Sequence, residues 1–369
     1  MKTSIGRIAL GFTLYFAFTW PSFGQNVRPN SERTVIFPIG FYSGDMGLGL
    51  GVDLSWLNIR DSSWSLHGFG FYTTAYQQSF LGTQLTNRKL ANIFYVSLGG
   101  GYAYSSRSLF YGFGPNSLLF DPAQYTQLSQ KLDGKFGLNI FENFVIGALA
   151  TYNKTEIGDG NREDSTQFLS RYESSAPYPR GAISRSLGAF MLYNSQEPEF
   201  APQSGTNAMA SYEASISNAS DEPKYQRIQA KAVHVQPIVE EELLVVGRVQ
   251  HERLWGDAPF YSQARLGGMH TLRSYKGGRF TDMSSILYGV EPRWVFWRPE
   301  SSFTRVELSG GIEAGRVYNT GTAATWYDQL NTSYVVGLTG ILKPGIPLRM
   351  DWASGIEGNQ FYLHLFYPF

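Results

Sequence analysis

The feature that most constrains this chain is a period of two that puts apolar side chains on one face and polar or charged ones on the other. In the last ten residues Phe361, Leu363, Leu365, Tyr367 and Phe369 share one face, and Gln360, Tyr362, His364, Phe366 and Pro368 share the other. Successive side chains alternate across an extended strand, so this segment presents one fully apolar face. The pattern recurs upstream. Ile286, Tyr288, Val290, Pro292, Trp294 and Phe296 oppose Glu291 and Arg293. Val306, Leu308, Ile312 and Ala314 oppose Arg305, Glu307, Ser309 and Glu313, and Leu348, Met350 and Trp352 oppose Arg349 and Asp351. Ile228, Ala230 and Ala232 oppose Arg227, Gln229 and Lys231. A helical period of 3.6 would scatter these residues around the axis.

About sixteen such segments occur: near 34–42, 46–58, 63–76, 79–89, 91–105, 124–138, 142–155, 180–194, 206–217, 225–236, 241–253, 285–297, 302–317, 329–341, 346–354 and 360–369. A membrane-crossing strand needs roughly 9–11 residues, so the chain accommodates this number, with twelve or fourteen strands and longer loops as the alternatives. The weakest alternation is near 79–89, and the longest stretches without it are 106–123, 156–179 and 254–284.

Two architectures suit such segments: a soluble all-β protein and a transmembrane barrel. Composition favours the barrel. Charged residues are only 16% and aromatics reach 15%. Charges restricted to one face fit a polar lumen behind a lipid-facing wall. After residue 24 no apolar run is long enough for a transmembrane helix. The expected fold is therefore all-β, a single transmembrane antiparallel barrel.

Residues 1–24 read as a secretory signal. Lys2 and Arg7 form the positive start, Ile8–Trp20 the apolar stretch, and Ser22 and Gly24 the small residues before a cut at Gln25. A short membrane anchor is the alternative. Domain boundaries follow as signal 1–24, a short segment 25–33, and the barrel 34–369. Intact mass of the outer-membrane form should give Gln25 as the first residue; a chain retaining residues 1–24 would remove the argument for export.

Further function classes are excluded or disfavoured. The 30 basic residues balance the 30 acidic ones without a basic cluster, which argues against nucleic acid. With no cysteine there is no disulfide, thiolate metal site or cysteine nucleophile. No G-x-S-x-G, H-E-x-x-H or P-loop pattern occurs, and His67, His234, His251, His270 and His364 are isolated in sequence. Glu240-Glu241-Glu242 and the loop with Asp159, Glu163 and Asp164 read as charged turns. No metal, cofactor or enzymatic activity is expected; a hydrolase assembled across strands is the alternative.

Several motifs resemble the BamA/TamA-like outer-membrane proteins, the bacterial surface antigen family. Gly267-Gly268 followed by Leu272-Arg273-Ser274-Tyr275 is similar to the family's Gly pair and (L/V)-R-G-(F/Y) tetrad. Gly289-Val290-Glu291-Pro292-Arg293, Gly311-Ile312-Glu313-Ala314-Gly315-Arg316 and Leu348-Arg349-Met350-Asp351 follow in the order of its N-x-E-x-R, F-x-D-x-G and R-x-D strands. Pro38–Ser43 with Gly49-Leu50-Gly51, Tyr111–Gly114, and Pro202 with Gly205 are looser matches. The terminal Phe369, with Phe361, Leu363, Leu365 and Tyr367, resembles the C-terminal assembly signal of such barrels.

There are departures. Ser274 stands where the tetrad has glycine, and Glu313 where the family has aspartate. Pro292 removes a ladder hydrogen bond, so a bulge or break is expected there. About ten residues between the signal cut and the first strand leave no room for POTRA modules, so a POTRA-less member is expected.

The resemblance implies a long loop folded into the lumen, with Arg273 on the loop and Glu291 and Glu313 on neighbouring strands. One planar guanidinium can bind carboxylates with paired hydrogen bonds. The functional reading is a latch fixing the loop and narrowing the pore, with Tyr275 packing its tip and Gly267, Gly268, Arg293, Gly315, Arg349 and Asp351 in support. The plainer reading is an ordinary lumen ion pair, with Tyr275 a surface aromatic. The resemblance also implies insertion or translocation of proteins, with separate periplasmic or outer-membrane partners. Outer-membrane lipid and the barrel assembly machinery are the expected partners in biogenesis. The alternative is a channel, or a structural or accessory barrel without insertase activity.

Overall fold

In a computed structural model, the described residues are 33–369 except 44–46, 62, 75–76, 118–120, 161–165, 199–200, 217–220, 300–302, 320–326, 343–344, 366 and 369. The expected signal at 1–24, the segment before β1, and Phe369 thus lie outside the description. Sixteen antiparallel strands close into a barrel. In chain order they are β1 (Arg33–Ser43), β2 (Gly47–Leu57), β3 (Trp64–Thr73), β4 (Ser79–Leu90), β5 (Phe94–Phe110), β6 (Ala123–Phe141), β7 (Phe144–Asp159), β8 (Gly181–Asn194), β9 (Gly205–Ser215), β10 (Tyr225–Val239), β11 (Leu243–Gly256), β14 (Ser284–Trp297), β15 (Phe303–Tyr318), β16 (Asn331–Leu342), β17 (Ile346–Gly355) and β18 (Gly358–Leu365). Between β11 and β14 a separate ribbon joins β12 (Ala264–Leu266) to β13 (Phe280–Asp282). A single-turn helix, α1 (Phe168–Tyr172), lies between β7 and β8.

Each of the sixteen expected segments is a barrel strand, including the weak one near 79–89. Alternation sets the wall. On β14, Val290, Trp294 and Phe296 face outward and are exposed, while Glu291 and Arg293 face the lumen and are buried. On β15, Leu308 and Ile312 face outward opposite buried Arg305, Glu307 and Glu313. Of the bulge or break expected at Pro292, the break occurs: Pro292 pairs in register with Val245 of β11, but on its other side the β14–β15 ladder skips Glu291 and Pro292 between Val290↔Ile312 and Arg293↔Ser309, without a change of register. The register shift lies further on, between Val295 and Trp297.

One end of the barrel carries short turns, such as those after Leu90 and Phe141, and the other carries the long connections after β5, β7, β9, β11 and β15. In transmembrane barrels the long loops are extracellular. β5, β6 and β7 have 17, 19 and 16 residues, more than a crossing of about 9–11 needs. At that end an aromatic cluster unites Phe110, Tyr125 and Ile157 of these strands with Phe168 of α1 and with Phe260 of the β11–β14 connection. Phe168 and Phe260 stack at 4.4 Å between centroids.

Closure is uneven. β1 pairs with β2 through eleven residue pairs, and β17 with β18 through eight. Among the described residues β1 meets β18 through two, Tyr42↔Leu363 and Ser43↔Tyr362. The last strand also stops earlier than its alternation predicts, at Leu365.

Candidate functional site

The connection between β11 and β14 turns back into the barrel, because its tip carries both an apolar face and a charge that the lumen wall matches. Ala264↔Asp282, Arg265↔Thr281 and Leu266↔Phe280 form the stem. Gly267 follows at φ 108, where a Cβ would collide with the Lys276 carbonyl. The tip closes through Gly268 N–H to Tyr275 O at 2.9 Å and Tyr275 N–H to Leu272 O at 2.9 Å. Leu266, Leu272, Tyr275 and Phe280 pack as one buried cluster with Leu287 of β14 and Val317 of β15. Each fully buried side chain of this size is worth about 1.5–3 kcal/mol. That packing orients Arg273 toward the wall.

Arg273 is 2% exposed and lies among three carboxylates. Its Nε donates to Glu313 Oε1 at 2.7 Å, Nη1 to Asp351 Oδ2 at 2.9 Å and Nη2 to Glu291 Oε2 at 3.0 Å. Its backbone N–H donates to Glu313 Oε2 at 2.7 Å, and its carbonyl accepts from the Tyr362 hydroxyl at 3.0 Å. The wall adds three more guanidiniums. Arg349 binds Glu291 with two parallel bonds, of 2.8 and 2.9 Å, and reaches Asp351 Oδ1 at 2.8 Å. Arg293 Nε donates to Glu291 Oε1 at 2.9 Å. Arg248 contacts Glu313 and donates to the His270 carbonyl at 2.9 Å. Four cations thus face three anions. Five of the six carboxylate oxygens accept from a guanidinium and the sixth, Glu313 Oε2, from the Arg273 backbone N–H, which offsets the cost of burying the charges.

Glycines on the wall make room for it. A Cβ on Gly337 of β16 would lie 2.5 Å from Asp351 Oδ1, 2.5 Å from Ser309 Oγ and 2.6 Å from Arg349 Nη2. A Cβ on Gly289 of β14 would lie 2.7 Å from Arg248 Nε. The Ser274 departure is matched in the same way. Its side chain fits against Gly355 of β17, where any Cβ would collide with Ser274 Oγ. The close approach is kept, with the glycine on the wall instead of the loop.

Further contacts tie the loop to both ends of the barrel. Arg279 binds Glu357, in the β17–β18 turn, at 2.8 Å and Ser117, in the β5–β6 loop, at 2.7 Å. His270 Nδ1–H donates to the Pro368 carbonyl at 3.1 Å. Burial pushes the His270 imidazole down to about 4, so it is neutral at physiological pH. Toward the short-turn end, Arg305 pairs with Glu307 at 2.7 Å and donates to the carbonyl of Ala201 at 2.9 Å. Ala201 belongs to the β8–β9 turn, while β10, β11 and β14 lie between β9 and β15 in the ring.

Of the residues singled out in the sequence, Arg273, Glu291, Glu313, Arg293, Arg349 and Asp351 come together in this one cluster. Gly267 and Gly268 form the loop tip, Tyr275 is buried in it, and a Cβ on Gly315 would press on Leu266. On the last strand Phe361 faces outward, and Leu363 and Leu365 are half-buried. Tyr367 departs from the lipid face on which alternation places it. It follows the end of β18, its hydroxyl donates to Glu307 Oε2 at 2.5 Å, and its ring lies 3.7 Å from the Arg293 guanidinium carbon. Sequence reasoning missed Arg248, Tyr362 and Gly337. Arg248 had a signal, as an inward-facing charge within Leu243–Val249. Tyr362 and Gly337 look like ordinary lumen positions until the loop is in place.

A closed barrel with a charged lumen and an inward-folded loop defines a class of outer-membrane β-barrel. Within that class, the Omp85 superfamily domain model matches residues 60–362, and the chain belongs to this superfamily. Among solved structures it resembles BamA from Haemophilus ducreyi lacking POTRA domains 1-3, at 17% identity and TM-score 0.63, covering 91% of this chain and 71% of that one. It also resembles CdiB from Escherichia coli, at 10% identity and TM-score 0.61, covering 90% of this chain and 63% of that one. CdiB from Acinetobacter baumannii matches at 9% identity and TM-score 0.54, covering 90% of this chain and 60% of that one. The chain therefore spans less than two thirds of either CdiB. No curated protein matches it.

Proposed function

We propose that this barrel inserts or translocates polypeptides at the outer membrane, working with separate periplasmic partners, and that the Arg273 cluster is the latch holding its loop in the lumen. The observation that supports this is the seam. Two residue pairs join β1 to β18, where neighbouring ladders have eleven and eight. A backbone hydrogen bond contributes about 0.5–1.5 kcal/mol net, so parting this seam costs a few kcal/mol, far less than parting either neighbouring ladder. The side of β1 along Arg33–Phe41 has no strand partner there among the described residues. A free edge of this kind is a template for an incoming strand. The latch keeps the loop folded while the seam works.

A covalent lock on the seam tests the proposal. Tyr42→Cys with Leu363→Cys places a cysteine pair at a directly opposed register position. The chain has no other cysteine to interfere. In cells relying on the locked protein, the outer membrane should lose client proteins, and reduction should restore them. Unchanged outer-membrane composition in the oxidised state, together with a large stable conductance in planar bilayers, would instead establish a channel.

A further inference from the structure

Cations on the lipid-facing wall are of two kinds. On β7 and β8, Lys154 and Arg185 face outward near the extracellular ends of their strands, and each has an acidic partner: Lys154 pairs with Glu156 at 2.7 Å and Arg185 with Glu222 at 2.6 Å. On β11 and β15, Arg253 and Arg316 have no such partner among the described residues. Arg253 stands between Glu252 and Leu254, both buried on the lumen side, so it faces outward close to the end of β11. Arg316 stands beside Val317, which packs on the loop stem in the lumen, so it shares the outward face of exposed Ile312.

The two guanidiniums converge. In the ladders Arg253 pairs with Ser284 of β14, and Ser284 with Tyr318 of β15, on the same face as Arg316. The Arg316 guanidinium carbon lies 5.8 Å from the Tyr318 ring centroid, and both arginines act electrostatically on the Tyr318 hydroxyl. The Arg253 guanidinium lies over the Trp255 ring at 4.7 Å, which fixes its direction. Arg316 is 6% exposed and donates from Nη1 to the Asp328 carbonyl at 2.6 Å. The Nε of each arginine is buried without an acceptor among the described residues. A cation facing lipid is costly, and a buried donor left unfilled adds to the cost, so this pair is built for an anion.

We propose that the outer wall where β11, β14 and β15 meet the outer leaflet binds the phosphate of a phosphorylated glycolipid through Arg253 and Arg316. The long connections place these strand ends on the extracellular side. The anion at that level of the bilayer is a lipid phosphate, and a guanidinium binds phosphate with paired hydrogen bonds. Trp255 and Tyr318 supply the amphipathic rings that settle at a headgroup. The site lies outside the barrel, and β16 and β17 separate it from β18, so the inference goes beyond the reading of the seam and does not depend on it.

Native mass spectrometry of the purified barrel in mild detergent, with bisphosphorylated lipid A as the probe, tests the site. Arg253→Gln with Arg316→Gln should weaken retention of the probe about tenfold or more, the loss of charge-assisted hydrogen bonds to phosphate. Lys154→Gln removes an outward cation that already has an acid and should leave retention unchanged. Lysine at both arginine positions should keep part of it, because the charge remains and the paired geometry does not. Heat-modifiable gel migration confirms that each variant is a closed barrel. If the double substitution lowers barrel yield, Arg253→Gln alone reads the same effect at reduced size. Dephosphorylated lipid A and phosphatidylglycerol should bind weakly, and inorganic phosphate should not displace the probe. Retention unchanged in the arginine variants, or an equal loss in Lys154→Gln, would overturn the proposal. So would equal binding of dephosphorylated lipid A or of phosphatidylglycerol, and so would displacement by inorganic phosphate, which would make the ligand free phosphate instead of a glycolipid.

Discussion

Arg273→Ala is expected to free the loop between β11 and β14 while leaving the barrel folded. The side chain satisfies three carboxylates, Glu313, Asp351 and Glu291, at 2.7, 2.9 and 3.0 Å. With Arg273 2% exposed, the ion pairs cannot be discounted as surface pairs. Removing one member of such a group leaves buried charge uncompensated, at a cost of about 3–5 kcal/mol. Arg349 and Arg293 still cover Glu291, and Arg248 still covers Glu313, so the loss falls mainly on the loop. The strand ladders are untouched. Proteolysis within 257–283 should accelerate at least tenfold, and single-protein conductance should become larger and noisier. Heat-modifiable migration should be unchanged. Arg273→Lys should recover only part of the protection, because one ammonium cannot reach three carboxylates in a fixed fork. If Arg273→Ala resists protease as the parent does, the cluster is an ordinary lumen ion network and not a latch.

Gly337→Val should be more damaging than its conservative size suggests. A Cβ alone would lie 2.5–2.6 Å from Asp351, Ser309 and Arg349. These atoms are the ends of side chains, but Asp351 and Arg349 are held by bonds on several sides and cannot swing away without breaking them. Overpacking of this kind costs about 1–3 kcal/mol, and displacing Asp351 from Arg273 adds the penalty of an unpaired buried charge. The expected readout is a protease-sensitive loop like that of Arg273→Ala, with reduced outer-membrane levels. Gly340→Val, on the same strand but facing outward, provides the control and should be near neutral. Equal behaviour of the two variants would show that the wall under Asp351 yields, and the space argument would fail.

Both predictions rest on different kinds of information. Arg273, Glu291, Glu313, Arg349 and Asp351 were legible in the sequence, because an inward charge on an alternating strand is conspicuous and because four motifs occur in a known order. Their number and sign as a cluster were not. Glu291 and Glu313 alone suggested two anions awaiting one cation, whereas the folded wall assembles four guanidiniums with three carboxylates. Ser274 looked like a lost glycine, and only the opposing Gly355 explains why it is tolerated.

Alternation marked about sixteen strands, with twelve or fourteen as alternatives, and the apolar face of each, and composition favoured a membrane barrel over a soluble all-β fold, because side-chain direction in a strand repeats every two residues and needs no knowledge of neighbours. What the tertiary structure decided is where that local rule is overruled. Pro292 breaks the ladder toward β15 locally, yet the register is unchanged across the gap because the β11 side stays paired. Tyr367 leaves the lipid face because Glu307 and Arg293, roughly sixty and seventy residues earlier in the chain, give its hydroxyl and ring partners in the lumen that the bilayer lacks. Strand periodicity is a property of a few adjacent residues, whereas seam length, loop docking and the fit of Gly337 and Gly355 depend on elements brought together only when the sheet closes on itself.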